Sequence, residues 1–352
     1  MYDLDAGTVN KALQDASPTI FSDATIANIL ALTTSTNDTK VTFTNASHDA
    51  NGIVTVAAGS EVVLVQSSHT SQTTVKPPAN APVVIFQGRG GVVATFNDGG
   101  TVPGGNQSDA ADRVIVGTAG ADRIIVADAK DTRVVLGSGN STVQAGLGVD
   151  TIEAGLGNST ITGGSGGDYA VVKLAGAPNN YTVTTSNGHA IVTHNDTGKT
   201  TDISKIQFVQ LDDAKALVFA KNSAEGAVAT LYHTAFGRYA DGGGLDYFYD
   251  GVRAGWRLID IAKIFVHSSE FASVHPSTET NTAFVQSLYK NTFNRAGEDI
   301  GVAHWLSLMA SGTTKADILT SFAQIAIQNV MHEAPNQEAV IVGNTSIINN
   351  II

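Results

Sequence analysis

GSGNSTVQA from Gly137, GLGVDTIEA from Gly146, GLGNSTITG from Gly155 and GSGGDYAVV from Gly164 follow one another without a gap. Upstream the pattern runs in steps of ten: Asp112-Arg113-Val114-Ile115-Val116, Asp122-Arg123-Ile124-Ile125-Val126, Thr132-Arg133-Val134-Val135-Leu136. An apolar residue returns at Val114, Ile124, Val134, Val143, Ile152, Ile161 and Ala170. A short fixed period is the mark of a solenoid, in which each repeat buries its apolar residue only by stacking on its neighbours. Glycines supply the turns, and the short β segment between them carries the inward side chain.

These nonapeptides resemble the calcium-binding repeats-in-toxin (RTX) family, whose pattern is Gly-Gly-x-Gly-x-Asp-x-apolar-x. Gly146–Ala154 and Gly164–Val172 match it closely, the other repeats less so. The resemblance implies a parallel β-roll with alternate turns on opposite sides. It also implies Ca2+ between turns two repeats apart, held by Asp carboxylates and backbone carbonyls. Carried over position by position, the Asp slot reads Asp122, Thr132, Ser141, Asp150, Ser159 and Asp168. Asp150 and Asp168 then share a side, whereas the other side offers Ser141 and Ser159, neutral oxygens that hold a hard cation less well. The expectation is a one-sided site of Asp150 and Asp168, extended by Asp131 beside the Thr132 slot, with carbonyls from the turns of Gly146, Gly148, Gly164 and Gly166. The competing reading is a calcium-free solenoid whose Asp and Asn residues only make turns.

A chain of 352 residues is long enough for two or three domains with their own cores. It contains no cysteine, which excludes a disulfide framework and a thiolate metal site. A net charge of −12 argues against nucleic acid and anionic membranes as partners and suits divalent cations. No run approaches the roughly 18 apolar residues of a membrane span. Met1-Tyr-Asp-Leu-Asp lacks the regions of a secretory signal peptide. Members of the RTX family leave the cell through type I secretion machinery that reads an uncleaved C-terminal signal. The stretch 338–352 is compatible with such a tail, and the expected address is extracellular or on a bacterial cell surface.

Around the repeats, residues 23–32 suit a short helix capped by Asp23 or equally a strand. From Lys40 the segments VTFT, IVTV, EVVLV, PVVIF and GVVATF read as strands, forming a small sandwich or irregular coils leading into the roll. Asp98–Ser108 reads as a glycine-rich joint. TDISKIQFVQLDD, from Thr201, resembles the strand-and-turn cap that closes RTX domains. Beyond residue 216 the pattern turns helical and repeats with an offset of 57: Tyr232 with Tyr289, Phe236 with Phe293, Arg238 with Arg295, Gly244 with Gly301, Phe248 with Trp305, Phe265 with Phe322. LYHTAFGRYADGGGLDYFYDGV and the later FVHSSEF resemble the family catalogued as domain of unknown function 4214, found in secreted RTX and bacterial surface-layer proteins. The second copy lacks the Ser-x-Glu-Phe ending. The expected fold class is mixed, β plus α: a β-rich region over 1–106, the calcium β-roll and cap over 107–215, an all-α two-copy domain over 216–334 and a tail over 335–352.

Catalytic motifs are not found. The one His-Glu, His332-Glu333, has Asn336 where a zinc protease needs its second histidine. Gly-x-Ser-x-Gly is absent. Arg238 and Arg295, near Asp241, Glu298 and Asp299, could bind a carboxylate or phosphate; their duplication favours pairs that pin a turn between helices. The sequence therefore points to a non-enzymatic, secreted calcium-binding structural protein that assembles with copies of itself as a surface layer or matrix filament. The alternatives are a calcium-dependent adhesin for a cell-surface polysaccharide and, less favoured, an enzyme with its site in residues 1–105.

Overall fold

The computed structural model describes residues 2–5, 11, 13, 23–33, 40–98, 111–164, 170–186, 189–206, 208–211, 216–220, 223–238, 240, 242–333, 339–342 and 345–349. They fall into two compact units, one within residues 1–206 and the other mainly beyond 207.

The first unit is a solenoid of short strands. They are β1 (Tyr2–Asp5), β2 (Lys40–Ala46), β3 (Val62–Gln66), β4 (Thr73–Val75), β5 (Val83–Gln87), β6 (Val92–Phe96) and β7 (Arg113–Val116), then β8 (Arg123–Val126), β9 (Thr132–Val135), β10 (Ser141–Gln144), β11 (Asp150–Glu153), β12 (Ser159–Thr162) and β13 (Ala170–Lys173). From β3 on, successive strands go to alternate sheets. One sheet runs β1-β2-β3-β5-β7-β9-β11-β13; the other runs β4-β6-β8-β10-β12 and ends on β16 (Thr200–Ser204), β15 (His189–His194) and β14 (Tyr181–Ser186). Pairing is parallel throughout the coils. Residues 40–98 are thus coils of the roll and not a separate sandwich. The expected cap is there too: β16 continues the parallel ladder from β12, and β15 turns antiparallel against it.

Alternation decides which residues line the interior, since successive side chains of a strand face opposite ways. Val75, Ala94, Ile124, Val143, Ile161 and Ile203 stand in register along one sheet, and Ile115, Val134, Ile152 and Val172 along the other. Two of the spaced apolar positions move. Ile115, not Val114, joins the inner column, because β7 meets β9 with Arg113 opposite Thr132. Val172, not Ala170, stands opposite Ile152, because the step into the last coil is two residues longer and sets Ala170 opposite Asp150. Val114 faces out and is buried all the same: helix α1 (Asp23–Thr33) lays Ile26 and Ile29 on Val41, Phe43, Val62, Val83, Ile85, Val114, Val116 and Val135. The helical reading of residues 23–32 is the one the chain adopts.

The second unit carries α2 (Ser223–Phe236), α3 (Gly242–Arg253), α4 (Leu258–Val266), α5 (Ser269–Val274), α6 (Asn281–Phe293), α7 (Asp299–Ala310) and α8 (Lys315–Glu333). The 57-residue offset is a three-dimensional repeat. Phe265 packs on Tyr232, Phe236 and Phe248 at centroid distances of 4.7, 4.9 and 5.2 Å. Phe322 packs on Tyr289, Phe293 and Trp305 at 5.1, 5.8 and 4.9 Å. Arg238 lies over Tyr232 and Phe236, and Arg295 over Tyr289 and Phe293. The ion pairs differ. Arg238 reaches Glu270 of α5 with two hydrogen bonds, 2.5 and 2.9 Å, across 32 residues, and Ser268 caps that helix by accepting from the Phe271 N–H. Arg295 pairs locally with exposed Glu298 at 2.7 Å. The Ser-x-Glu-Phe ending exists to hold Arg238, and the copy without it ties its arginine three residues away. Asp241 lies outside the described residues.

Replacing Phe265 or Phe322 with Ala should each cost about 3–5 kcal/mol, since each is the hub of its copy. Arg238→Met should lower the melting temperature more than Arg295→Met, because Arg238 ties two elements 32 residues apart with two bonds whereas Arg295 bonds a neighbour three residues away. Equal shifts in a thermal scan of the two arginine variants would contradict this reading.

Candidate metal centre

The chemistry of the roll sits at its two edges, where each strand begins. The residue two before each core position faces inward as that position does, so this slot points into the corner of its turn. Burial follows: Asp122, Thr132, Ser141, Asp150 and Ser159 are all buried. Along one edge the slot column reads Arg113, Thr132, Asp150, Ala170; along the other it reads Asp122, Ser141, Ser159, Thr201. Turns on one edge stack at 18 residues, so closely that a side chain on Gly155 would collide with the Gly137 carbonyl, and one on Gly164 with that of Gly146.

On the expected calcium edge, Asp150 is 1 % exposed. One of its oxygens accepts from the Gly146 N–H of its own turn at 2.6 Å, the other from the Thr132 N–H of the coil before at 3.0 Å. Asp131, also buried, accepts from the Val149 N–H at 2.8 Å, and its oxygen lies against Gly148. The structure therefore brings Asp131, Asp150, Gly146, Gly148 and Gly164 to one edge. Asp168 and Gly166 lie outside the described residues. Burial pushes the Asp150 carboxyl up to about 7, with the Asp131 carboxylate adding to the rise against two N–H donors and the Arg113 charge. Among the described residues Asp150 forms no ion pair, and no three acidic or histidine side chains converge as a metal cluster.

Beyond Asp122 the opposite edge is joined without charge. The Asn140 Oδ1 accepts from the Asn158 N–H at 2.9 Å, and the Asn158 Oδ1 from the Thr200 N–H at 3.1 Å. Ser141 accepts from the Asp122 N–H at 3.3 Å. Asn140 thus takes the place that Asp131 holds on the first edge, with the same 18-residue reach. Asp122 accepts from the Thr118 N–H and hydroxyl and the Val92 N–H, and burial raises its pKa.

Sequence reasoning missed a third arrangement. Arg113, 1 % exposed, donates to both oxygens of Asp128 at 2.9 and 2.8 Å, to Asp98 at 3.3 Å and to the Thr132 hydroxyl at 2.9 Å, and lies 4.9 Å from the centre of the Phe96 ring. Despite burial, which works the other way, this guanidinium and the Asp98 and Lys130 N–H groups hold the Asp128 carboxyl below its usual range. The available signal was an arginine in a slot column of small polar residues. The ten-residue steps concealed it by aligning Asp112, not Arg113, with Thr132.

The donor set on the first edge fits a hard cation. Two buried carboxylates stand beside each other and a stack of turn carbonyls, all oxygen ligands of the kind Ca2+ takes, and a bound ion would supply the positive charge that lets both stay ionised. What the chain's own residues do is place those oxygens: the N–H bonds to Asp131 and Asp150 fix the carboxylates between coils. In chelator, the raised pKa favours the folded chain only while Asp150 is protonated. That advantage is lost as pH rises through about 7. Between about pH 5 and 8 the chelated protein should lose roughly 2–3 kcal/mol of stability through this group, and calcium should abolish the loss. Denaturant titrations at both pH values check it. Asp150→Asn or Asp131→Asn should weaken calcium binding by calorimetry far more than Ser141→Ala or Ser159→Ala; equal effects would mean the edges are misassigned.

A scan against protein families agrees with this geometry. Residues 133–170 match the RTX calcium-binding nonapeptide repeat (4 copies), and residues 262–326 match the domain of unknown function DUF4214. No curated protein and no solved structure matches significantly. Both matched families are non-catalytic, structural-type domains. One polypeptide thus carries a stretch that matches RTX calcium-binding nonapeptide repeats, with Ca2+ as their ion, and a stretch that matches DUF4214.

Proposed function

We propose that this is a secreted, non-enzymatic structural protein whose calcium-loaded form assembles with copies of itself at the cell surface, as a layer or a filament. RTX proteins are typically secreted, and among the described residues no helix is long and apolar enough to cross a membrane. Export by type I machinery would pass the chain unfolded through a calcium-poor cytosol, deferring the roll until it meets the calcium outside.

The observation that carries assembly is the outer face of the second sheet. Thr142 and Thr160 stand exposed in register on strands roughly 4.8 Å apart, between Arg123 on one side and Asp202 on the other, with exposed Gln144 beside them on the strand of Thr142. A periodic, neutral stretch flanked by opposite charges suits a neighbour packed against it, and contacts repeated head-to-tail give an open lattice. One observation favours the second reading, a calcium-dependent adhesin for cell-surface polysaccharide: Tyr247 and Trp256, both exposed, meet edge to face at 5.8 Å, a surface on which a sugar ring can stack.

Light scattering of purified protein separates the two. Chelator should leave monomers and millimolar calcium should give large ordered particles, visible as sheets or filaments by electron microscopy. Monomers persisting at high protein concentration in calcium would rule out assembly and leave the adhesin.

A further inference from the structure

We propose that Arg113 is a built-in cation standing in for calcium at the start of the roll, so that the coils up to β9 fold without metal and seed the calcium-dependent coils from β10 onward. This rests on the reading that the later coils need calcium, and it adds where that need begins.

The argument is one of position and charge. Arg113 heads the same inward column that holds Thr132 and Asp150. Its guanidinium is fully enclosed and meets the carboxylates of Asp98 and Asp128, which belong to turns on either side of its own strand. Asp128 in turn accepts the Asp98 N–H, and Lys130 adds a second positive group 3.5 Å from Asp98. Two acidic turns are thus bridged by positive side chains, which is the task a bound ion performs between carboxylate-bearing turns. One coil later the column offers neutral Thr132, and one further it offers Asp150 beside Asp131, with no arginine or lysine paired to Asp150 among the described residues. The coils before Arg113 have no need of an ion either: their strands are held by α1 and by apolar residues on both faces of β5 and β7. The roll therefore divides by chemistry at about Val135, with charge supplied by the chain before it and by the solution after it.

Hydrogen exchange on the full-length protein, read by mass spectrometry in chelator and in millimolar calcium, tests this. In chelator, amides of residues 83–96 and 113–126 should stay protected while those of 150–153 and 170–173 exchange freely, and calcium should protect the second group. Loss of protection in both groups together on chelation would overturn the proposal while leaving calcium dependence intact. Protection of both groups in chelator would overturn calcium dependence itself, and the proposal with it. Arg113→Met in chelator should speed exchange in 113–126 by roughly a hundredfold or more, because two buried carboxylates lose their partner. The double variant Arg113→Met, Asp128→Asn should recover part of that loss. Wild-type protection in Arg113→Met would overturn the proposal. Should that variant fail to fold, Asp128→Asn serves instead: weakened protection confined to 92–135 is expected, and none at all would count against Arg113.

Discussion

A roll of short parallel strands buries, at a corner, the residue two before each core position, against the turn of the neighbouring coil, and that corner has to be electrically and sterically accommodated. The rest of the structure follows from the constraint. Glycine is required where turns touch, because a side chain on Gly155 or Gly164 would strike a carbonyl of the coil below. A polar residue in the slot gains by finding partners inside the corner, since an unsatisfied buried polar group costs about 1–3 kcal/mol, and the Ser159 hydroxyl is the slot group that finds none among the described residues. This chain uses three solutions in one solenoid: a guanidinium between two carboxylates at Arg113, asparagine and serine hydrogen bonds along Asn140 and Asn158, and a carboxylate pair at Asp131 and Asp150 that suits a cation.

The period, the strands and the division of the Asp slot between two edges were legible because each is a local signal repeated many times. Register was less legible. A slip of one residue turns every side chain of a strand to the opposite face. At Arg113 the ten-residue steps allowed either choice, so an arginine that reads like Arg123 and Arg133 is buried inward while they face outward. Buried residues on both faces of β7 gave no help, because α1 covers Val114 and Val116 on the outer one and an amphipathic pattern disappears when both sides are buried. The same blindness applies at Ala170, where a turn two residues longer resets the column without disturbing the composition. The stretch between Lys40 and Phe96 could be read either as a small sandwich or as coils leading into the roll, because its turns vary in length, leaving alternation without period.

In the helical unit the duplicated aromatics were readable as a pattern, and the structure shows why they travel together. Phe265 and Phe322 are each ringed by three aromatics contributed from the same relative positions, so none can change alone without leaving a void. The arginines were read as paired with nearby acids. For Arg295 the partner is such a neighbour, Glu298; for Arg238 it is Glu270, 32 residues on, whose role only the folded chain discloses.

The unlike edges of the roll also give it a mechanical grain. Along Asn140, Asn158 and Thr200 the coils are stitched by neutral hydrogen bonds that no change of ion content touches, whereas the other margin places the Asp131 and Asp150 carboxylates together, where charge has to be balanced. If calcium binds there as proposed, one margin is the spine of a book and the other its fore-edge, closed or open according to the salt it is kept in.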